Sequence, residues 1–285
     1  MRPRGPEVTP WQTTALRRMN LDRDPWILLD LAEAGVLSTS QTRLLHFGSV
    51  EACRRRMRVL RALRLVTGFR PGGSRGAETM WALTDRGATM LGELLGETVR
   101  AGAWGRGGSS ARALPHRQAV TEFFVALVGE GSGPRLTPVR AAGHHAIRAA
   151  APGEVSTMWL GERGCRTVFG DPARRPLGVR AALVPDGAAL LSVGERSAPI
   201  ALEMDRGTES LHVLGEKLAR YASVGGLTVI VCFTDPARAL WRPPDLGVDV
   251  LVGDLGSHVA EPWGPVWAGR DGRRLALGDV LETVG

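Results

Sequence analysis

Apolar residues in the first hundred positions recur at helical spacing, in short runs separated by glycine and polar breaks. Residues 25–35 form such a run, with proline in the first turn and glycine at the end. This pattern predicts a helix after a proline-rich lead through about Asp24. Ser38 and Gln41 have the spacing of a capping box, which predicts a second short helix that ends at Gly48.

A third helix is predicted from Ser49, because apolar residues recur every three or four positions through Leu63. The other faces of this helix carry four arginines, namely Arg54, Arg55, Arg58 and Arg61. We therefore expect a helix that packs on one side and offers positive charge on the other.

Two short strands are expected after this helix, at about 65–70 and 78–83. The glycine-rich loop that joins them has Arg70 at its start and Arg75 within it. A closing helix is then predicted, with Thr84 as its cap.

Residues 25–95 thus resemble a winged helix-turn-helix domain, in which the third helix enters the major groove. The resemblance implies that the domain binds double-stranded DNA through the arginines of the third helix, with Arg70 and Arg75 at the phosphate backbone. Two other interpretations stay open: the arginines form a solvated helix face, or the domain docks a protein.

Charge is distributed unevenly along the chain. Residues 1–118 hold 19 arginines and 10 acidic residues, whereas residues 119–285 hold 17 basic and 19 acidic residues. A basic module suits a polyanion such as nucleic acid, and a nearly neutral one suits a packed fold or a metal site. Residues 96–115 are rich in glycine, serine, alanine and arginine without apolar periodicity, so we expect a linker there.

Composition argues against membrane insertion and export. No apolar run approaches the roughly 18 to 20 residues of a membrane span, and no apolar stretch follows the N-terminal arginines as in a signal peptide. The three cysteines, Cys53, Cys165 and Cys232, lack metal-type spacing. We therefore expect free, buried thiols in a cytoplasmic protein without a membrane partner.

The second half of the chain alternates predicted helices and strands. The expected elements are a helix at 116–128, strands at 179–184, 188–193 and 199–204, a helix at 210–222 and a buried strand at 227–233. A loop-rich stretch contains His144 and His145, which are adjacent and therefore a poor chelating pair. After Asp235 we expect a tail that packs over the sheet.

Carboxylates gather at one expected edge of this sheet. Glu203 and Asp205 are two positions apart on a strand and project to the same face, and Asp186 leaves a neighbouring hairpin. Three hard oxygen donors suit Mg²⁺ or Mn²⁺, which would align water with a scissile phosphate. The plainer interpretation is an ordinary Asp-Gly turn at Asp186, and a strand end followed by a helix cap at 203–209.

Lys217 is the only lysine beside 35 arginines, and it lies on the next predicted helix. A position that keeps lysine in such a chain indicates a need for a compact, tunable ammonium, although it can also survive by chance. Tyr221, one turn further, is either an accessory site residue or a core ring. Glu122, on the helix before the sheet, is either an accessory acid or a solvated one.

Together these residues resemble a family. Its pattern is carried by Pro185-Asp186, by Glu203-x-Asp205-Arg206-Gly207-Thr208-Glu209, and by Lys217 and Tyr221. Preceded by a winged helix, they are similar to the replication-relaxation family of plasmid and mobile-element proteins.

The resemblance implies a PD-(D/E)XK nuclease-like second domain. Its catalytic residues would be Asp186, Glu203, Asp205 and Lys217, with the three carboxylates as ligands of Mg²⁺ or Mn²⁺. In the nuclease pattern the third residue of the triplet is lysine, whereas here it is Asp205. Lys217 would therefore reach the site from the helix.

The sequence thus predicts an α/β protein (α+β overall), with a winged helix at 25–95 followed by a PD-(D/E)XK-like mixed sheet flanked by helices at 116–285. The expected partner is duplex DNA, in plasmid or mobile-element replication or transfer. Two functions stay open: metal-dependent phosphodiester cleavage by the second domain, or a non-catalytic winged-helix regulator of transcription or replication that uses the second domain for dimerisation or DNA grip. A homodimer is compatible with both.

Overall fold

The computed structural model describes residues 9–71, 76–96, 98–101, 109–127, 155–170, 183–193, 196–223 and 227–279. Packing divides the chain into two compact units, Met1–Gly107 and Gly108–Gly285. The chain is of mixed α/β type, and each unit has its own β-sheet.

The first unit is mostly helical with a small antiparallel sheet. Its elements are α1 (Pro10–Arg18), α2 (Asp24–Ala34), β1 (Leu37–Ser38), α3 (Thr39–His46), α4 (Val50–Ala62), β2 (Val66–Phe69), β3 (Met80–Leu83) and α5 (Asp85–Leu95). The strands pair in the order β1-β3-β2. From α2 to α5 the elements follow the predicted order, with bounds close to the predicted ones.

Side-chain caps begin helices α3, α4 and α5. Ser38 Oγ accepts the Gln41 N–H at 3.1 Å and the Gln41 side chain accepts the Ser38 N–H at 2.9 Å, which confirms the predicted capping box. Ser49 and Thr84 cap α4 and α5, each accepting the N–H three residues further on. These bonds satisfy donors that the first turn of a helix leaves free.

Helix α4 packs its predicted apolar stripe into the core of the unit. Cys53, Met57 and Leu60 are fully buried, whereas Leu63 at the end of the stripe is only partly covered. Burial of such side chains contributes about 1.5–3 kcal/mol each, which fixes the face that α4 turns inward.

Helix α1 lies in the segment that the sequence indicates only as a proline-rich lead. Pro10 occupies its first position, where proline is tolerated, and the Gln12 side chain accepts the N–H of Thr9. The proline content conceals this start, because the same residue also marks irregular segments. Residues 1–8 lie outside the described residues.

The second unit is built on one mixed sheet. Its elements are α6 (Ser109–Ala126), β4 (Val155–Leu160), α7 (Glu162–Gly170), β5 (Gly187–Val193), β6 (Arg196–Asp205), α8 (Leu211–Ala219), β7 (Thr228–Phe233), β8 (Asp249–Asp254), α9 (Leu255–Ala260), β9 (Trp267–Ala268) and β10 (Arg274–Leu275). The 7-stranded order is β10-β9-β8-β7-β6-β5-β4. Strands β6, β7 and β8 are parallel, and the other pairings are antiparallel.

Alternation along β6 assigns its side chains to the two faces of the sheet. Ile200, Leu202 and Met204 belong to the core cluster on the α6 side. Ala201 belongs to the cluster on the α8 side. Glu203 has the same parity as Ala201 and therefore faces α8.

Several predicted boundaries are corrected by the structure. The expected linker at 96–115 overlaps α6, which begins at Ser109 and continues through Pro115. Of the strand expected at 179–184, residues 183–184 are not in a strand, and Pro185 after them has no N–H to donate to a strand ladder. Residues 179–182, like His144 and His145, lie outside the described residues.

The segment after Asp235 extends the sheet, and only in part packs over it as predicted, through residues such as Leu255 and Trp263 against the core cluster on the α6 side. Strand β8 pairs in parallel with β7, and Trp267 of β9 is fully buried. Strand β4 and helix α7 are also absent from the predicted order, which contains no element between Pro152 and residue 179.

Two predictions from composition can be compared with the structure. Across the described ranges, no helix has the length and apolarity needed to cross a membrane. Cys53, Cys165 and Cys232 are free and buried, as predicted.

Candidate functional site

Helix α4 presents arginine to solvent. The exposed side chains are Arg54, Arg55, Arg58 and Arg61. Within the described part of the chain none of them forms an ion pair, and Arg58 donates to the carbonyl of Arg54 at 3.3 Å. Of the two predicted wing residues, Arg70 is exposed after β2 and Arg75 lies outside the described residues.

Arg56 differs from its neighbours on α4. Its Nε donates to Asp24 Oδ1 at 2.8 Å and its Nη2 donates to the carbonyl of Arg18 at 3.0 Å. Asp24 is fully buried and also accepts the N–H of Asn20. The hydrogen bond to Asp24 raises the pKa of Arg56. Arg56 therefore anchors α4 to the preceding helices.

Asp186 lies in the turn before β5, in the second unit. Its N–H donates to the carbonyl of Leu202 at 3.0 Å, which holds the turn against β6. Its Oδ2 accepts the N–H of Met204 at 2.9 Å, and its Oδ1 lies 3.1 Å from Nε2 of His116. The carboxylate is thus fixed at the end of β6 that carries Glu203.

Glu203 is a buried acid with a partner on each oxygen. Its side chain is 2% exposed, its Oε2 pairs with the Lys217 ammonium and its Oε1 accepts from the Tyr221 hydroxyl. Lys217 lies on α8 and Tyr221 on the 3-10 turn Arg220–Ser223, one helical turn apart. Lys217 retains 32% exposure of its side chain and faces solvent on one side.

Asp205 shares a face of β6 with Glu203 but makes a different contact. Its two oxygens accept from Nε and Nη2 of Arg238, each at 3.0 Å, and Oδ1 also accepts the N–H of Gly207. Among the described residues, no group of three or more His, Cys, Asp or Glu side chains could hold a metal ion. The structure therefore does not bring Asp186, Glu203 and Asp205 together as a metal-binding triad. The carboxylate of Asp205 is bound by Arg238 instead.

The two remaining carboxylates, Asp186 and Glu203, have pKa values shifted in opposite directions. Burial and the charge of Asp186 raise the pKa of Glu203 to about 7, against the opposing effect of Lys217. Burial alone would also raise the pKa of Asp186, but the hydrogen bond from His116 and the charges of His116 and Lys217 hold it below its usual value. Asp186 therefore keeps its negative charge more readily than Glu203.

The donors around these carboxylates have raised pKa values. The hydrogen bond to Asp186 raises the pKa of His116. Burial works against the charged form of Lys217, but the charges of Glu203 and Asp186 raise its pKa. Burial and Glu203 raise the pKa of Tyr221, so its hydroxyl stays a donor. The cluster thus combines two carboxylate acceptors with two partly exposed donors, His116 and Lys217, and one buried donor, Tyr221.

The remaining accessory candidate does not join this cluster. Glu122 is exposed on α6. After burial and Asp254, its charge is a further cause of the raised pKa of Cys232, which belongs to the core cluster on the α6 side. Another residue of α6, His116, contacts the cluster through Asp186. It lies three and four positions before the buried Ala119 and Val120, so it continues their stripe.

Arg238 was also not singled out by its sequence pattern. Its contact with Asp205 spans 33 residues, and local periodicity carries no information about such a pair.

Comparison with solved structures finds one match, a structure of restriction endonuclease FokI bound to DNA. The two chains share 11% identity with a TM-score of 0.24, and the match covers 92% of this chain and 46% of that chain. A TM-score this low does not establish a shared fold. No curated protein matches the chain.

Comparison with protein families is more informative. Residues 28–229 match the sequence profile described as replication-relaxation. The matched range runs from α2 of the first unit to β7 of the second, so it contains both α4 and the carboxylate cluster. Because the match covers well over half of the sequence, the chain belongs to the replication-relaxation family.

Proposed function

We propose that this protein binds duplex DNA in plasmid or mobile-element replication or transfer, through a winged helix-turn-helix domain in its first unit. One observation carries the proposal: the exposed arginines of α4 lie together on one helix. Helix α4 is the third helix in the order α2-β1-α3-α4-β2-β3-α5, the position of the recognition helix in such domains. Membership of the replication-relaxation family supports the biological setting.

The test is an anisotropy titration of labelled duplex DNA with the parent and with the double variant R55A/R58A. Arginines that neutralise phosphates release counterions, so losing two is expected to weaken binding about tenfold or more at about 0.1 M salt. The control R270A/R273A removes equal charge from exposed positions of the second unit that pair with aspartates. We expect it to bind like the parent, and equal affinity of R55A/R58A would contradict the assignment.

The second unit supports a second candidate function, metal-dependent phosphodiester cleavage in a PD-(D/E)XK-like site. The specific observations are that Asp186 is held against the end of β6 that carries Glu203, and that Lys217 reaches Glu203 from α8. Mg²⁺ keeps several waters and is commonly held by one or two carboxylates, so this pair fits Mg²⁺ or Mn²⁺ without Asp205. Such an ion would supply positive charge at the scissile phosphate and lower the pKa of a bound water.

Each residue of the cluster then has a distinct role in the proposed cleavage. Asp186 and Glu203 would hold the metal, and the Tyr221 hydroxyl orients Glu203 from the protein interior. Lys217 combines contact with Glu203 and partial exposure, so its ammonium can also meet a phosphate oxygen or the attacking water. Asp205 has a structural role through its ion pair with Arg238.

Replacement of Lys217 tests this candidate. Lys217→Met is expected to abolish Mg²⁺- or Mn²⁺-dependent nicking of supercoiled plasmid with little change in duplex affinity, because methionine keeps an apolar stem. Lys217→Arg is expected to lose most of the activity, since a planar guanidinium does not replace a compact ammonium. Glu216→Gln, exposed on the same helix, is the control that keeps activity.

Two results would change the proposal. Nicking by Lys217→Met at the parental rate would contradict the part given to Lys217. A parent that binds duplex equally well in chelator and nicks in neither metal would favour the alternative, a non-catalytic regulator that uses its second unit for dimerisation or DNA grip.

A further inference from the structure

His116 lies at the solvent side of the carboxylate cluster, on the inward stripe of α6. Its side chain is 35% exposed, and its Nε2 is 3.1 Å from Oδ1 of Asp186, which is 22% exposed. One turn further on, the stripe continues with the buried Ala119 and Val120. Packing of α6 on the sheet therefore sets the position of the imidazole.

The contact between α6 and the turn of Asp186 is close. A Cβ added to Gly187 would lie 2.4 Å from Cε2 of Phe124, so only glycine lets α6 approach the start of β5 this far. Phe124 is fully buried and stacks on Trp159. The helix that carries His116 is thus fixed against the residue that follows Asp186.

The carboxylate of Asp186 is held at both oxygens by donors from different elements. The backbone N–H of Met204 on β6 binds Oδ2, and His116 on α6 binds Oδ1. One hydrogen bond leaves a carboxylate free to rotate about its Cβ–Cγ bond, whereas two donors on opposite oxygens fix its plane. Each oxygen keeps a second lone pair for another ligand.

We infer that His116 is a positioning residue of the proposed cleavage site, which orients Asp186 by donating from Nε2 to Oδ1. This inference rests on the cleavage proposed for the second unit. Residues that orient metal-binding carboxylates act through those ligands, and their loss commonly lowers metal affinity or activity 10- to 100-fold. His116 would therefore affect catalysis without touching the substrate.

The first part of the test measures the contact in solution, independently of activity. In ¹⁵N-histidine-labelled full-length protein at fixed pH, the imidazole signals of His116 are identified by their loss in His116→Gln. Asp186→Asn removes the acceptor charge and is expected to shift these signals. His212, 84% exposed and paired with Glu216, supplies a signal that should stay in place.

The second part measures plasmid nicking. His116→Ala is expected to lower kcat 10- to 100-fold with little change in duplex affinity or Tm. His116→Gln, whose amide N–H can replace the imidazole donor, is expected to recover part of the rate. The matched control His212→Ala is expected to cut at the parental rate.

The outcomes separate this inference from the function on which it rests. Unmoved His116 signals in Asp186→Asn, or parental nicking by His116→Ala, would overturn the inference alone. A parent that cuts with neither Mg²⁺ nor Mn²⁺ would refute the cleavage and, with it, the part of His116 in cleavage.

Discussion

At the scale of single residues, Glu203 is the most deeply buried of the three carboxylates Asp186, Glu203 and Asp205. It lies in the sheet interior, where a lone carboxylate is costly, and its partners Lys217 and Tyr221 only partly offset that cost. The nearby charge of Asp186 adds to it. The protein thus maintains an unfavourable group at one position, which is a common property of functional sites.

Glu203 makes stability depend on pH in a defined direction. The pKa of its carboxyl rises from 4.5 to about 7 on folding, so between these values the folded state holds a proton that the unfolded state has lost. The resulting stability is present below about pH 4.5 and is lost as the pH rises to about 7. The pKa difference sets an upper limit of about 3 kcal/mol on this loss.

Glu203→Gln removes the titrating group and nearly keeps the shape. Between pH 4.5 and 7.5 the free energy of unfolding is expected to fall by about 1–3 kcal/mol more in the parent than in Glu203→Gln, measured by urea denaturation. The exposed control Glu216→Gln should follow the parent. Parallel pH profiles of the parent and Glu203→Gln would show that Glu203 is already ionised across this range.

Some site contacts follow from spacing and others do not. Helical spacing places Lys217 and Tyr221 one turn apart, and strand alternation places Glu203 and Asp205 on one face. Neither rule shows that Arg238 forms an ion pair with Asp205. A distant partner competes for that carboxylate, and such competition is decided by tertiary packing.

At the scale of elements, α4 combines an exposed charged face with one buried anchor. Arg55 and Arg56 are adjacent in sequence, yet the first is exposed and the second pairs with the buried Asp24. Removing one partner of a buried pair leaves a charge without compensation, which is far more costly than trimming a solvated side chain.

This contrast predicts opposite effects of two neighbouring substitutions. Arg56→Ala is expected to lower the free energy of unfolding by about 3 kcal/mol, because the N–H of Asn20 is then the one donor left to the carboxylate of Asp24 among the described residues. Arg55→Ala is expected to change it by less than about 0.5 kcal/mol while weakening DNA binding. Equal unfolding free energies of the two variants would show that the pair with Asp24 is not formed in solution.

Elements with a local start signal are predictable from this sequence, and the others are not. The capping pairs at Ser38 and Thr84 satisfy backbone donors within three residues, so the sequence itself contains both partners. Strands β8 and β9 are set by pairing with distant segments. Their short apolar runs have no distinctive periodicity, which is why the segment after Asp235 is not predicted as part of the sheet.

At the scale of the whole molecule, the two units differ in charge as well as in architecture. The arginine excess of residues 1–118 coincides with the helical first unit and its exposed α4, whereas the nearly neutral remainder forms the mixed sheet with its buried acids. This division suits a protein in which one unit supplies electrostatic affinity for DNA and the other supplies a compact chemical site.

The salt dependence of duplex binding tests the central claim most directly. For the parent, the logarithm of the association constant should fall linearly with the logarithm of the salt concentration. Each lost phosphate contact should make the slope shallower by about 0.9. For R54A/R55A/R58A/R61A we expect a slope shallower by about 3–4, with the fold retained by circular dichroism. The charge-matched control R242A/R270A/R273A/R274A should keep the parental slope, and a parental slope in the α4 variant would contradict the account.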